Sequence, residues 1–293
     1  MIAVDLGSNT IRFIEYDGVY WGKSFEKIVR TAETLQNTNR ISDQALHRII
    51  DAINEAKAHI DFSHQNIVAY TTAAMRLASN SQDVIDKIKT ETGIVFKIIT
   101  SEKEAELTLG AVRYRLNQLS LQPASFLLAD IGGGSTELIQ YLNDISHSIS
   151  LNIGIVTLSE SVFSESQLKE KIQIFKSQIR ESLHLSKPLQ LVLTAGTPTT
   201  MAAYLNGMDY KSYDPKKING YALSLSACYS VYNDLLKMDE ETRTRYVGVG
   251  RENLIIAGIL MVTAIYEVLH TQEAIIIDDG LREGIALEYY KVP

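Results

Sequence analysis

A short segment recurs in this chain, and the recurrence sharply limits the architectures open to it. Ala3-Val4-Asp5-Leu6-Gly7-Ser8-Asn9-Thr10 opens the first copy and Ala129-Asp130-Ile131-Gly132-Gly133-Gly134-Ser135-Thr136 the second. With Asp5 set on Asp130, Gly7 falls on Gly132, Thr10 on Ser135, Phe13-Ile14 on Leu138-Ile139 and Tyr16 on Tyr141. Each copy reads as an apolar strand, a tight polar turn and a second, alternating strand. A repeat spaced at roughly half a chain predicts two related domains that face each other.

The segments between the copies alternate strand and helix, an α/β pattern. Ser42 is placed to cap a helix whose apolar face is Leu46, Ile49, Ile50, Ile53, Ala56 and Ile60. Strands are predicted at 66–71 and 94–99, and helices at 81–92 and, capped by Ser101, from there to about Gln118. Pro123 lies in a short connector and divides a first domain, 1–124, from a second, 125–293. The second half repeats the style, with strands near 126–129, 137–141, 145–151, 189–193 and 274–277. Its helices fall near 167–183, 197–205, 224–237, 252–269 and 281–290, the last free to pack back on the first domain.

Composition narrows the partners. Lys and Arg number 28 against 35 Asp and Glu, a formal charge of −7, which argues against a broad nucleic-acid surface. A polyanionic substrate would need local help from backbone amides, a few cations and a metal. Cys228 is the only cysteine, which excludes an internal disulfide and fits a reducing compartment. No signal peptide is expected, and the longest uncharged apolar run, 253–266, reads as a buried helix rather than a membrane span. A cytoplasmic location without membrane association follows as the expectation.

Both turns have phosphate-binding chemistry. Backbone N–H groups in a tight turn bind phosphate without losing side-chain entropy, and glycine lets that backbone approach closely. Ser8, Asn9 and Thr10 supply such donors in the first copy, and Gly132, Gly133, Gly134 and Ser135 in the second. The competing reading is a pair of ordinary hairpin turns, which two matching loops behind strands that end in Asp make less economical. Each Asp has two readings, an Asx cap of its turn or a ligand of Mg²⁺ held directly or through water. Glu137 stands where the first copy has Arg12, so an ion pair between domains competes with a metal role for Asp130 and Glu137.

These residues carry a family pattern. The sequence resembles the exopolyphosphatase / guanosine pentaphosphate phosphatase (Ppx/GppA) family of the actin–sugar kinase–heat-shock chaperone superfamily. Residues 4–12 look like its first phosphate loop, and Asp130 to Glu137 like its second. Thr71-Thr72-Ala73-Ala74-Met75-Arg76 looks like its strand-to-helix segment ending in arginine. Ile218-Asn219-Gly220-Tyr221 and Asp278-Asp279-Gly280-Leu281-Arg282-Glu283-Gly284 look like its later signatures.

The resemblance implies two duplicated actin-like ATPase (ribonuclease H-like) domains with an interdomain cleft. It also implies hydrolysis of a terminal phosphoanhydride of polyphosphate or guanosine penta/tetraphosphate with Mg²⁺ or another divalent cation, and it leaves a homodimer open. By the same resemblance Arg76 contacts phosphate and Glu104 is the general base that activates water. Lys103 and Glu106 depart from the family's pattern around that base and change its local charge. Read without the family, Ser101-Glu102-Lys103-Glu104 is a capping box in which Glu104 reaches back to the cap. Longer family members carry further helical domains, whereas this chain stops at Pro293, so short or medium polyphosphate is expected to serve at least as well as long chains.

No other constellation competes. His47, His59, His64, His147, His184 and His270 are scattered without metal-ligand spacing. No nucleophile elbow or P-loop occurs. Two alternatives stay open: an ATP-dependent kinase of the same superfamily, whose adenosine pocket would involve 194–199, and a non-catalytic polyphosphate or (p)ppGpp sensor.

Overall fold

Ile2–Leu6 (β1) is buried along its whole length and apolar but for Asp5, which suits a central strand. In the computed structural model, which describes all residues except 64, 122, 162–163, 184–188 and 293, β1 sits at the middle of a five-stranded sheet. Thr10–Tyr16 (β2) pairs antiparallel with β1, and Trp21–Ile28 (β3) pairs antiparallel with β2. Leu35–Thr38 (α1) and Asp43–His59 (α2) follow, the latter capped by Ser42, whose hydroxyl accepts from the Ala45 amide. Ile67–Thr71 (β4) lies parallel to β1. Ala73–Leu77 (α3) and Ser81–Thr92 (α4) lead to Phe96–Ile98 (β5), which is parallel to β4 and precedes Ser101–Gln118 (α5).

The second sheet repeats that plan. Ser125–Ile131 (β6), Thr136–Leu142 (β7) and Ile145–Leu151 (β8) form an antiparallel meander. Ile155–Glu160 (α6) and Glu165–Ser182 (α7) precede Gln190–Thr194 (β9), which is parallel to β6. Gly196–Leu205 (α8), Pro215–Ile218 (α9), Tyr221–Ser224 (β10), Leu225–Lys237 (α10), Glu240–Val247 (α11) and Leu254–Leu269 (α12) come next. Glu273–Ile276 (β11) then enters the sheet parallel to β9, and Leu281–Tyr290 (α13) closes the chain. The sheet orders are β3-β2-β1-β4-β5 and β10-β11-β9-β6-β7-β8. Read outward from the shared meander, the second is the first with β10 added at one edge, antiparallel to β11. The duplication is the one the sequence repeat predicted, and its strand order is the ribonuclease H-like arrangement of actin-like ATPases that the family resemblance implied.

Packing divides the chain into Met1–Ala111 with Asp279–Pro293, and Val112–Asp278. The first division falls inside α5, upstream of the Pro123 connector. In the first unit, α13 lies against β1 and β2. Its Gly284 meets α5 so closely that a Cβ there would overlap the Leu107 carbonyl. In the second unit, α12 is buried on nearly every face, with Met261, Val262, Ala264, Ile265 and Tyr266 in the core. No helix among the described residues is long and apolar enough to cross a membrane.

Periodicity did not reveal β3, α3, α6 or α11. β3 is an edge strand carrying Lys23, Glu26 and Lys27, the charged pattern that protects an edge and hides alternation. The helix α11 is mostly polar, and α3 and α6 are too short for a face to repeat.

Candidate active site

The two polar turns have the same construction. Gly7 N–H donates to the Thr10 carbonyl at 3.0 Å, and Gly132 N–H donates to the Ser135 carbonyl at 3.0 Å. Asp5 lies directly opposite Arg12 across β1 and β2, and Asp130 directly opposite Glu137 across β6 and β7. The loop carbonyls are tied down in both copies. The Ser8 carbonyl accepts from Ala32 (2.8 Å), and the Asn9 carbonyl from Val29 and Arg30 (2.9 Å each). Likewise the Gly132 carbonyl accepts from Ile155 (3.0 Å), and the Gly133 carbonyl from Val156 (2.8 Å) and Thr157 (3.3 Å). Among the described residues, the amides of Ser8, Asn9, Gly133 and Gly134 donate to no backbone carbonyl. A turn whose acceptors are satisfied and whose donors are not is suited to an anion.

The segments that tie the loops were not visible in sequence. The second loop depends on α6, whose first amides hold it, and on Gly154, which caps that helix. A Cβ at Gly154 would stand 2.5 Å from the Gly133 carbonyl carbon and oxygen and 2.6 Å from the Gly132 oxygen. Nothing local marks Gly154 for this role, because the contact is made to residues a whole hairpin away.

In the first unit the structure brings Asp5, Arg76 and Glu104 into one electrostatic neighbourhood, together with Arg12, Arg282 and Glu283. Arg76, on α3, donates through Nη1 to Glu104 Oε2 at 2.8 Å and to the Ile99 carbonyl at 3.0 Å. Glu283 and Asp279 are buried. Glu283 accepts from the Gly280 amide at 3.0 Å and from Arg282 Nε at 2.7 Å. Burial pushes the Asp5 carboxyl up from 3.8 to about 7 against the opposing pull of Arg12, with Glu104 raising, Arg282 lowering and Glu283 raising it further. Asp5 Oδ1 and Asn9 Oδ1 are buried without a hydrogen-bond partner.

The Asp5 environment has a consequence for stability. The native state holds a proton that the unfolded chain releases above its ordinary value of 3.8. The stabilisation is therefore complete below pH 3.8 and is lost as pH rises through about 7. Asp5→Asn, which stays neutral, should melt higher than the unsubstituted protein at about pH 8, and the difference should vanish near about pH 4. Thermal unfolding of the two proteins across that range checks this. A difference that does not change with pH would contradict it.

The capping reading of Glu104 is corrected. The cap of α5 is Thr100, not Ser101: Thr100 Oγ1 accepts from the Lys103 amide at 3.2 Å, and its carbonyl accepts from the Glu104 amide at 3.0 Å. That shift by one residue puts Lys103 at the third helical position and leaves the Glu104 side chain to Arg76. Lys103 itself pairs with Glu106 at 3.1 Å and with Glu288 of α13.

In the second unit, Glu137 is buried and its Oε1 accepts from Ser135 Oγ at 2.8 Å and Ser150 Oγ at 2.9 Å. The Ser135 hydroxyl proton thus serves Glu137. Ser150 was not singled out in sequence, although it is the partner of Glu137 across β7 and β8. Opposite residues in an antiparallel pair project to the same face, so the Asp130 and Glu137 side chains share one face of the sheet. That suits magnesium, which takes one or two carboxylates and completes its shell with water and phosphate oxygens. Among the described residues no group of three or more His, Cys, Asp or Glu side chains could hold a metal. His64 and His184 lie outside the described residues.

The turn at 194–199 joins β9 to α8, with Ala195 at φ 76° and Gly196 against the guanidinium of the buried Arg251.

Comparison with known proteins bears on all of this. Residues 23–291 match the Ppx/GppA phosphatase family. The chain is 26% identical over 306 residues to exopolyphosphatase 1 of Mycobacterium tuberculosis, covering 97% of this chain and 86% of that protein. It is 26% identical over 295 residues to a guanosine-5'-triphosphate,3'-diphosphate pyrophosphatase of Pseudoalteromonas translucida, covering 96% of this chain and 57% of that protein. Among solved structures, the Aquifex aeolicus member of the Ppx/GppA family superposes with a TM-score of 0.77 at 28% identity, covering 98% and 96% of the two chains.

Proposed function

The chain belongs to the Ppx/GppA phosphatase family, and within it we propose that this protein hydrolyses the terminal phosphoanhydride of a phosphate chain, inorganic polyphosphate or guanosine pentaphosphate, and releases orthophosphate. The observation that carries this reading is the matched pair of loops with tied carbonyls and undonated amides. Relatives named for each of the two substrates support keeping both.

In the proposed reaction the amides of Ser8 to Thr10 and of Gly132 to Ser135 bind phosphate oxygens, and they supply donors that cannot be titrated away. Arg76 adds a permanently charged planar fork matched to two phosphate oxygens. Glu104 orients a water in line with the scissile bond and takes its proton. Asp130 and Glu137 would hold Mg²⁺, which when bound offsets charge on the transferring group. The hydroxyls of Ser135 and Ser150 fix the Glu137 carboxylate for that task.

The test is phosphate release from polyphosphate, guanosine pentaphosphate and ATP, compared at equal terminal-phosphate concentration with and without Mg²⁺. Turnover of either of the first two in preference to ATP is the expected result. Binding of both without release would mark a sensor, and release from ATP alone would mark a nucleotide-dependent enzyme of the wider superfamily.

A further inference from the structure

Arg76 and Glu104, which the proposed reaction assigns to different tasks, are bonded to each other in this structure. Arg76 Nη1 lies 2.8 Å from Glu104 Oε2, and the two side chains are only 20% and 12% exposed. The same nitrogen donates to the Ile99 carbonyl, which fixes the guanidinium at the junction of β5 and α5. A carboxylate oxygen that already accepts from a guanidinium is a poor acceptor for a proton from water. The guanidinium does not lose its own proton, so with the carboxylate ionised the pair is opened by a competing anion. A phosphate chain is such an anion, because it accepts from the same planar fork.

We propose that Arg76 is a substrate-operated latch: without phosphate it holds the Glu104 carboxylate, and a bound phosphate chain takes the guanidinium and releases that carboxylate to the attacking water. The inference rests on Glu104 being the base. It adds that base activation is coupled to substrate binding, so water is not activated before a phosphate is in place. It also predicts a cost, since part of the substrate's binding free energy goes into breaking the pair.

The cost makes the latch measurable. Binding of inorganic tripolyphosphate is measured by calorimetry at fixed ionic strength without divalent metal. The forms compared are the unsubstituted protein, Glu104→Gln, Arg76→Gln and the double variant, with Arg76→Lys as a second background that keeps the charge but loses the fork. Glu104→Gln should bind about tenfold more tightly than the unsubstituted protein, as expected when the charged hydrogen bond broken on binding is replaced by a weaker one to a neutral amide oxygen. In both Arg76 backgrounds the same substitution should change affinity by less than about twofold. Simple relief of charge repulsion would tighten binding in every background alike, and that result overturns the latch, as does unchanged or weaker binding by Glu104→Gln. Undiminished phosphate release by Glu104→Gln in Mg²⁺ would instead remove Glu104 as the base, and the latch with it. Failure of every form to bind tripolyphosphate would sink the phosphate-chain reading itself.

Discussion

Glu104→Gln should lower kcat for phosphate release by about 10²–10⁴-fold, the usual cost of losing a general base. The substitution is nearly isosteric and keeps an oxygen that can accept from Arg76 Nη1, so the local geometry has little reason to change. Because Thr100 rather than Glu104 caps α5, the helix should keep its start, and the melting temperature should stay close to that of the unsubstituted protein. The measurement is steady-state phosphate release with thermal unfolding on the same preparation. A folded variant with an undiminished kcat would remove Glu104 from the chemistry and send the search for a base to Asp5, the neighbouring carboxyl whose proton affinity burial has raised to about 7. A parallel loss of activity and of melting temperature would point to a structural role instead.

The contrast between Glu104 and its neighbours shows what a sequence can and cannot carry. The duplication was legible because strand, turn and strand recur at a constant offset, and the sheet orders repeat with it. The ends of α13 fall where the sequence placed them, at 281 and 290, with Gly280 before the helix and Lys291 after it. The start of α5 was misplaced by one residue because Thr100 and Ser101 are both good caps, and only the backbone decides between neighbours. The bond between Arg76 and Glu104 joins residues on two helices and has no local signature. The Asp5 environment is equally non-local, since its charged neighbours come from β2, α5 and α13. Sequence motifs name the residue types that chemistry needs, whereas their partners are set by packing between distant segments.

That distinction is sharpest at Gly154, where alanine should cost far more than one methyl group suggests. The obstructing atoms are the backbone of Gly132 and Gly133, not the end of a flexible side chain. They are held there by bonds from Ile155, Val156 and Thr157, so the added Cβ must push α6 and the phosphate loop apart and strain the bonds that turn the loop's amides outward. Overpacking of this kind costs typically about 1–3 kcal/mol in stability. The kinetic loss should be larger, because a displacement on the order of 1 Å in groups that position a substrate costs about 10²-fold in rate. Gly110→Ala is the matched control: it lies exposed within α5 with nothing within 4 Å of its would-be Cβ. That change should raise stability by up to about 1 kcal/mol, as alanine does for glycine in an exposed helix interior, and leave turnover unchanged. Thermal unfolding and kcat/KM for both variants decide the matter. If Gly154→Ala loses no more activity than Gly110→Ala, the second loop can relax without its α6 anchor, and its amides are not held in a fixed constellation for phosphate. If it loses activity while keeping most of its stability, the anchoring of that loop by α6 is what makes the Asp130 turn a binding element rather than an ordinary hairpin turn.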